Sequence, residues 1–251
     1  MRSVVCVKRV PDTAVDVKVA AGGKSVDTSG IEPILNPYDE YALESALRLK
    51  DAAGAGEVTV LSLGPGEATK EVRKGLAMGA DKGVLLKAAD TGKDALSVAK
   101  TLVATLEGLS FDVLFFGARA VDTDDFQVGP MVADLLKLPF AGEVVEVVKG
   151  ADGRIVATRE QEGGHAKIAL RTPCAVSFQK GVHEPRPATL PGIMKAKKKP
   201  LEDKDATVAP SRLEVLSVEL PAKRPPGKIV GKGPDAVPEL VRLLREEAKV
   251  L

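Results

Sequence analysis

Phe111-Asp112-Val113-Leu114-Phe115-Phe116-Gly117-Ala118-Arg119-Ala120-Val121-Asp122-Thr123-Asp124-Asp125-Phe126-Gln127-Val128-Gly129 is the stretch that decides the fold. Phe111 to Phe116 is too short for a helix, almost wholly apolar and closed by glycine, which is how a strand buried on both faces reads. The segment Gly117 to Gln127 is then long for a connection between a strand and a helix, and such length is usually functional.

Three more short apolar runs read the same way: Ser3 to Val7, Glu57 to Leu63 and Gly83 to Leu86. Helical patterns separate them. Asn36 before Pro37 is a good helix start, because Asn caps free amides and proline at the first position sacrifices only an unpaired donor. Asp39 and Glu40 then suit the positive end of the dipole, and Gly54 closes the helix. Glu67 to Met78, ended by Gly79, and Lys93 to Leu106, ended by Gly108, are the next two helices. Strands alternating with helices imply an α/β fold with a mostly parallel, doubly wound, Rossmann-like sheet covered on both faces.

From Gly142 to Phe178 the pattern changes. Glu143 to Val148, Arg154 to Arg159 and Lys167 to Leu170 are joined by glycine-rich turns, as in an antiparallel meander. Ten of the 17 prolines then fall within the last 67 residues, from Pro185 on. That part reads as an extended C-terminal arm needing another surface to pack on, with a strand near Leu213 to Val218 and a helix from Pro234 to Lys249 that puts Leu240, Leu243 and Leu244 on one face. The expected division is 1–183 for the α/β domain and 184–251 for the arm.

The 251 residues carry 36 Lys and Arg against 35 Asp and Glu, so no global charge draws the chain to nucleic acid or to an anionic membrane surface. With no Trp, two Tyr and six Phe it lacks the aromatic platforms of single-strand binders. No apolar run reaches a membrane span, and Met1 to Val10 does not read as a signal peptide, so direct membrane insertion is not expected and a cytoplasmic location is. Two cysteines without paired spacing and two histidines support neither a disulfide framework nor a zinc site. Cys6, inside Val4 to Val7, reads as a small buried hydrophobe, and His165 beside Gly163 and Gly164 as a turn residue.

Ligands of open α/β sheets sit outside the carboxyl ends of the strands, where helix amino termini present free amides. Cys6 to Thr13, Leu63-Gly64-Pro65-Gly66 and Gly117 to Gln127 occupy such places. The second lacks the endings of a phosphate loop or a dinucleotide fingerprint and reads best as a plain turn. In the third, Asp122, Asp124 and Asp125 could accept ribose hydroxyls; they would repel a phosphate unless they turn away and amides near Gln127 hold it. The same acids could simply cap the next helix, and they lack the glycine and the terminal Glu of a calcium loop. Lys180, Arg186, Lys195, Lys197, Lys198 and Lys199 form a local basic patch in a neutral protein. Leu190, Ile193 and Met194 stand among them as an apolar anchor within a charged rim.

These residues bring a family into view. Val7-Lys8-Arg9-Val10-Pro11-Asp12, Asn36-Pro37-Tyr38-Asp39-Glu40-Tyr41-Ala42-Leu43-Glu44, Leu76-Ala77-Met78-Gly79-Ala80-Asp81, the Gly117 to Gly129 loop, Arg159-Glu160-Gln161-Glu162-Gly163-Gly164 and Ala188-Thr189-Leu190-Pro191-Gly192-Ile193-Met194-Lys195-Ala196-Lys197 resemble the β subunit of electron transfer flavoprotein, end to end. The resemblance implies a heterodimer with an α subunit that holds most of a shared FAD, while this chain buries AMP and does no chemistry of its own. It places the AMP against Cys6, Asn36, Pro37, Tyr38, Asp39, Leu63, Gly117, Ala118, Arg119, Ala120, Val121, Asp122, Thr123, Asp124, Asp125, Phe126, Gln127 and Val128, with Tyr38 also approaching the flavin. Thr13 stands where the family can carry an aromatic residue. Leu190, Pro191, Ile193, Met194, Lys195 and Lys197 fall on the family's recognition loop, which docks acyl-CoA and other dehydrogenases, with Leu190 as the anchor. Electrons then pass toward a membrane quinone reductase.

Three other readings remain open. Some relatives carry a second FAD in place of AMP and bifurcate electrons; Gln127-Val128-Gly129-Pro130 fits them, whereas Asp125 and Phe126 favour AMP. The sheet could instead serve adenylyl transfer from ATP, although no phosphate loop is present. It could also be a nucleotide-sensing module, which would need neither Leu190 nor the Lys197 to Lys199 run.

Overall fold

The computed structural model describes residues 1–89, 94–223 and 226–251. The first strand, β1 (Arg2–Val7), enters the core at once. Then β2 (Arg9–Pro11), β3 (Lys18–Val19), β4 (Val26–Asp27) and β5 (Pro33–Leu35) fold as two small antiparallel ribbons, β2 with β5 and β3 with β4. The expected alternation follows as α1 (Pro37–Ala53), β6 (Glu57–Gly64), α2 (Thr69–Met78), β7 (Lys82–Lys87), α3 (Ala95–Leu106), β8 (Val113–Gly117) and α4 (Val128–Leu135). A turn of 3-10 helix, Gly66–Ala68, precedes α2. Asp94 caps α3 by accepting from the Leu96 amide; Lys93, the expected start of that helix, lies outside the described residues.

The second half contributes β9 (Phe140–Lys149), β10 (Ile155–Gln161), β11 (Gly164–Leu170), β12 (Cys174–Phe178), α5 (Leu190–Ala196), β13 (Leu201–Asp205) and α6 (Val237–Glu246). One nine-stranded sheet results, in the order β11-β10-β9-β12-β8-β1-β6-β7-β13. From β9 to β13 along that order every pairing is parallel, and only β10, antiparallel to both β9 and β11, runs against the rest.

Helices cover both faces because successive side chains of a strand point opposite ways. Val5 and Val7 of β1 join Leu43, Leu47, Val72 and Leu76 under α1 and α2, while Val4 and Cys6 join Leu102, Leu106 and Val132 under α3 and α4. Cys6 is thus the buried residue the sequence suggests, and burial and the neighbouring Asp39 both push its thiol pKa upward.

Several expectations need correction. The meander stops at β11: the next strand, β12, returns into the sheet interior, parallel between β8 and β9. Its residues, Cys174 to Phe178, are buried throughout, which suits an interior strand with helices on both faces. His165 lies in the β11 ladder opposite Glu160 rather than in the turn itself. The expected strand near Leu213 to Val218 is not formed; the edge strand is β13, beside β7. The boundary at 183/184 therefore falls before chain that still belongs to the sheet. Beyond β13 the arm is tied to the body by the Ala206 amide on the Lys87 carbonyl (2.9 Å) and the Arg212 amide on Asp94 (2.8 Å). The expected C-terminal helix forms as α6, and none of its residues is buried.

Candidate functional site: a crevice at the sheet switch point

The chain leaves β1 toward β6 on one side and later returns to β8 on the other, so β1 marks the point where strand order reverses. In open α/β sheets the crevice beyond the carboxyl ends at that point is the usual ligand site. Here it holds about 870 Å³ including its open mouth. Leu61 and Leu63 of β6, Val98 and Leu102 of α3, and Cys6 and Phe116 make one part of its lining apolar. Lys8, Asn36, Asp39, Thr123, Asp125 and Gln127 supply polar groups from the β1 exit, the α1 start and the loop after β8.

Asp39 organises this polar part. Its Oδ2 accepts the Lys8 amide at 2.7 Å, and its Oδ1 accepts the Asn36 side-chain amide at 2.9 Å and the Gly117 amide at 3.1 Å. One buried carboxyl thereby ties the end of β1, the start of α1 and the end of β8. Burial pushes its pKa up to about 7, with the Asn36 side chain and the Lys8 and Gly117 amides pulling the other way. Asn36 is at the helix N-cap position, but its side chain caps nothing. It is spent across the site instead: Nδ2 also donates to the Arg119 carbonyl at 2.9 Å, and Oδ1 accepts the Val121 amide at 3.3 Å. The capping role expected from Asn-Pro is corrected to one of holding the loop.

Gly117 is fixed by space. A Cβ there would stand 2.2 Å from Asp39 Oδ1 and 2.9 Å from Tyr38 Cβ, so any side chain evicts the carboxyl that binds the loop.

The loop acids mostly turn away from the crevice. Asp122 pairs with Lys8 Nζ at 2.8 Å, and Asp124 with Arg119 Nη1 at 2.9 Å. Asp125 remains on the lining, next to Gln127 and Val128, where α4 begins with its free amides.

The structure brings Cys6, Asn36, Asp39 and Leu63 together with Gly117, Ala118, Arg119, Ala120, Thr123, Asp125, Gln127 and Val128. Pro37, Tyr38, Val121, Asp122, Asp124 and Phe126 stand outside the lining, although Tyr38, Asp124 and Phe126 hold Arg119 in place. Gly64 ends β6, Pro65 follows it and Gly66 already belongs to the 3-10 helix, so the segment is a direct strand-to-helix connection rather than a separate turn. The reading by residue type overlooked Leu61, Asp94, Ala95, Val98 and Leu102. Asp94 had a local signal, an acid directly before an apolar helix. Val98 and Leu102 had one as well, four residues apart on a single helix face.

A second feature lies apart from the crevice. The stretch carrying Leu190 is helix α5, whose first turn is capped by Thr189 Oγ1 accepting from the Gly192 amide at 3.2 Å. Arg73 of α2 donates to the Ala196 and Lys199 carbonyls (2.6 and 3.0 Å), and Lys199 Nζ donates to the Leu76 and Ala80 carbonyls (2.9 and 2.5 Å). A Cβ on Gly192 would meet the Ala77 carbonyl at 2.5 Å, so α5 sits directly on the end of α2. This fixed mount leaves Leu190 80% exposed, with Ile193 and Met194 also exposed.

The basic patch is smaller than its sequence. Lys199 is committed to the end of α2, and burial holds its pKa below the usual lysine value. Arg186 is bound to the buried Glu44 at 2.8 Å and to Asp51 at 3.0 Å. Lys180 is exposed and paired with Glu184 at 3.7 Å, which leaves Lys195, Lys197 and Lys198 as the exposed rim around Leu190.

Fold and crevice together define a doubly wound α/β protein with a part-polar, part-apolar crevice at its switch point. Residues 24–209 match the electron transfer flavoprotein domain. Over its full length the chain is 42% identical to the electron transfer flavoprotein subunit β of Bradyrhizobium diazoefficiens and 38% identical to that of Bacillus subtilis, each also covered in full. It is 36% identical to the subunit β of Mus musculus, of which 99% is covered. The chain belongs to the electron transfer flavoprotein β-subunit family. Among the described residues no helix is long and apolar enough to cross a membrane.

Proposed function

We propose that this chain is the β subunit of a heterodimeric electron carrier, that it holds AMP as a structural cofactor, and that it completes the FAD site of an α subunit without catalysing a reaction itself. The observation that carries the AMP assignment is the crevice at the switch point, closed around the Asn36, Asp39 and Gly117 network. Its donor set suits the ligand. Leu61, Leu63, Val98 and Leu102 offer an apolar surface for a base, Thr123 and Asp125 offer partners for ribose hydroxyls, and the amides opening α4 offer donors to a phosphate. The pairing of Asp122 with Lys8 and of Asp124 with Arg119 removes most of the repulsion that the loop would otherwise exert on that phosphate. A nucleotide that is held and never turned over stabilises the native state by mass action.

The FAD supplies the redox chemistry when it is bound between the subunits, and this chain's part is Tyr38, on the first turn of α1. Beyond β13 the arm exposes Leu216 (76%) and Ile229 (86%), and α6 buries none of its residues, as suits a segment that packs on another chain. Leu190, presented by a firmly mounted α5 within a rim of Lys195, Lys197 and Lys198, has the chemistry of an anchor for acyl-CoA and other dehydrogenases, whose electrons go on toward a membrane quinone reductase.

The test is to co-purify the chain with its α subunit, denature the complex and count the nucleotides released. One FAD and one AMP per heterodimer are expected. Two FAD and no AMP would make it a bifurcating protein, and no nucleotide at all would refute the reading.

A further inference from the structure

Helix α5 is too short to hold itself. It has seven residues with Pro191 and Gly192 in its first turn, and isolated helices below about 12–15 residues are marginal even in favourable sequences. What keeps it folded is its seat on α2. Nη1 of Arg73 donates to the carbonyls of Ala196, the last residue of α5, and of Lys199, at 2.6 and 3.0 Å. Lys199 Nζ donates in turn to the Leu76 and Ala80 carbonyls at the end of α2. Each helix thus receives, at its negative end, a cation from the other's segment, where carbonyls lack partners within the helix.

The two sides of α5 have different surroundings. Leu190, Ile193 and Met194, three and four residues apart, share an exposed face, while Ala196 is buried against the body. Gly192 lies so close to α2 that a Cβ would stand 2.5 Å from the Ala77 carbonyl. Arg73 grips the helix at the far end from Leu190, roughly 9 Å away along the axis at 1.5 Å per residue. It stands outside the crevice lining. Its influence on Leu190 therefore runs through the helix.

Resting on the docking reading above, we propose that Arg73 is a positioning residue for dehydrogenase docking: bound to the end of α5, it holds Leu190, Ile193 and Met194 as a preformed face. A partner that meets an ordered helix does not bear the cost of folding it, so affinity is gained without a contact from Arg73 itself. Both bonds come from the single nitrogen Nη1, so the requirement is for a cationic donor at that point and not for the planar fork of a guanidinium.

The test follows electron transfer from an acyl-CoA dehydrogenase to the purified heterodimer. Arg73→Ala should raise the KM of the dehydrogenase for the heterodimer about tenfold, equivalent to about 1.4 kcal/mol, with kcat and AMP content unchanged. Arg73→Lys should bring it back to within about threefold of wild type. Amide exchange at Ile193 and Lys197, whose N–H groups bond the Thr189 and Ile193 carbonyls, should quicken in Arg73→Ala. Leu190→Ala alone should raise KM about 30-fold, and the double variant should stay below about 100-fold, against the roughly 300-fold of independent effects. A wild-type KM in Arg73→Ala, with or without faster exchange, would overturn the proposal, as would a double variant near the independent product. If Arg73→Ala does not fold, Gly192→Ala dislodges the same seat from the other side and should raise KM likewise; a wild-type KM there would equally overturn it. A wild-type KM in Leu190→Ala would instead refute the docking reading on which the proposal rests.

Discussion

Gly117→Ala places one methyl group at the centre of the network that builds the crevice. The added Cβ would lie 2.2 Å from Asp39 Oδ1 and 3.0 Å from the Asp39 amide nitrogen, where ordinary contact begins at 3.4 Å. The carboxyl is itself buried and holds Lys8, Asn36 and Gly117, so it cannot move aside without giving up those partners. Overpacking in a rigid site costs about 1–3 kcal/mol, and a weakened set of hydrogen bonds to a buried carboxyl about 1–3 kcal/mol more. The expected destabilisation is therefore roughly 2–6 kcal/mol, or a fall in Tm of roughly 4–24 °C for a chain of this size. Thermal unfolding of the heterodimer, with bound AMP counted on the same samples, reads both consequences, and AMP content should fall with Tm. Gly66→Ala is the control, because a Cβ there meets nothing within 4 Å. A Gly117→Ala protein within about 2 °C of wild type and with full AMP content would refute the steric reasoning.

Asp39 should give stability a distinctive pH dependence. Its folded pKa of about 7 lies above the ordinary 3.8, so between these values the native state keeps a proton that the unfolded chain has shed. Its contribution is fully present below about pH 4 and is lost as pH rises through 7, by up to about 4 kcal/mol. The Tm gap between wild type and Asp39→Asn, which does not titrate here, should therefore be wider at pH 5 than at pH 8; equal gaps would contradict the assignment. Leu190→Ala removes a side chain that is 80% exposed, so Tm and AMP content should not change, while KM for a partner dehydrogenase should rise about 30-fold if Leu190 is an anchor worth about 2 kcal/mol. An unchanged KM would remove Leu190 from the docking surface.

Much of the architecture was legible because it follows from local pattern. β1, β6, β7 and β8 are short apolar runs closed by glycine or charge, and α1 begins at Asn36-Pro37 and ends before Gly54. β12 was harder to place: Cys174-Ala175-Val176-Ser177-Phe178 reads as one more strand of the meander, and nothing local says that it inserts between β8 and β9. β13, Leu-Glu-Asp-Lys-Asp, carries four charges in five residues and has no strand signal. It is a strand because the exposed edge of β7 offers it a parallel ladder.

Sequence alone determined the alternation of strands and helices, hence the doubly wound sheet and the carboxyl-end positions where a ligand site can form. It also located the long loop after β8 and the apolar residues Leu190, Ile193 and Met194 among lysines, because composition and spacing carry those signals. Tertiary structure decided which charges are free. Asp39, which reads as a helix-end acid, is buried and bound by three donors. Arg186 and Lys199, which read as part of a docking patch, are spent on Glu44 and on the end of α2. The partners in each case are distant in sequence, and an ionisable side chain acquires its role from what the fold places within about 3 Å of it.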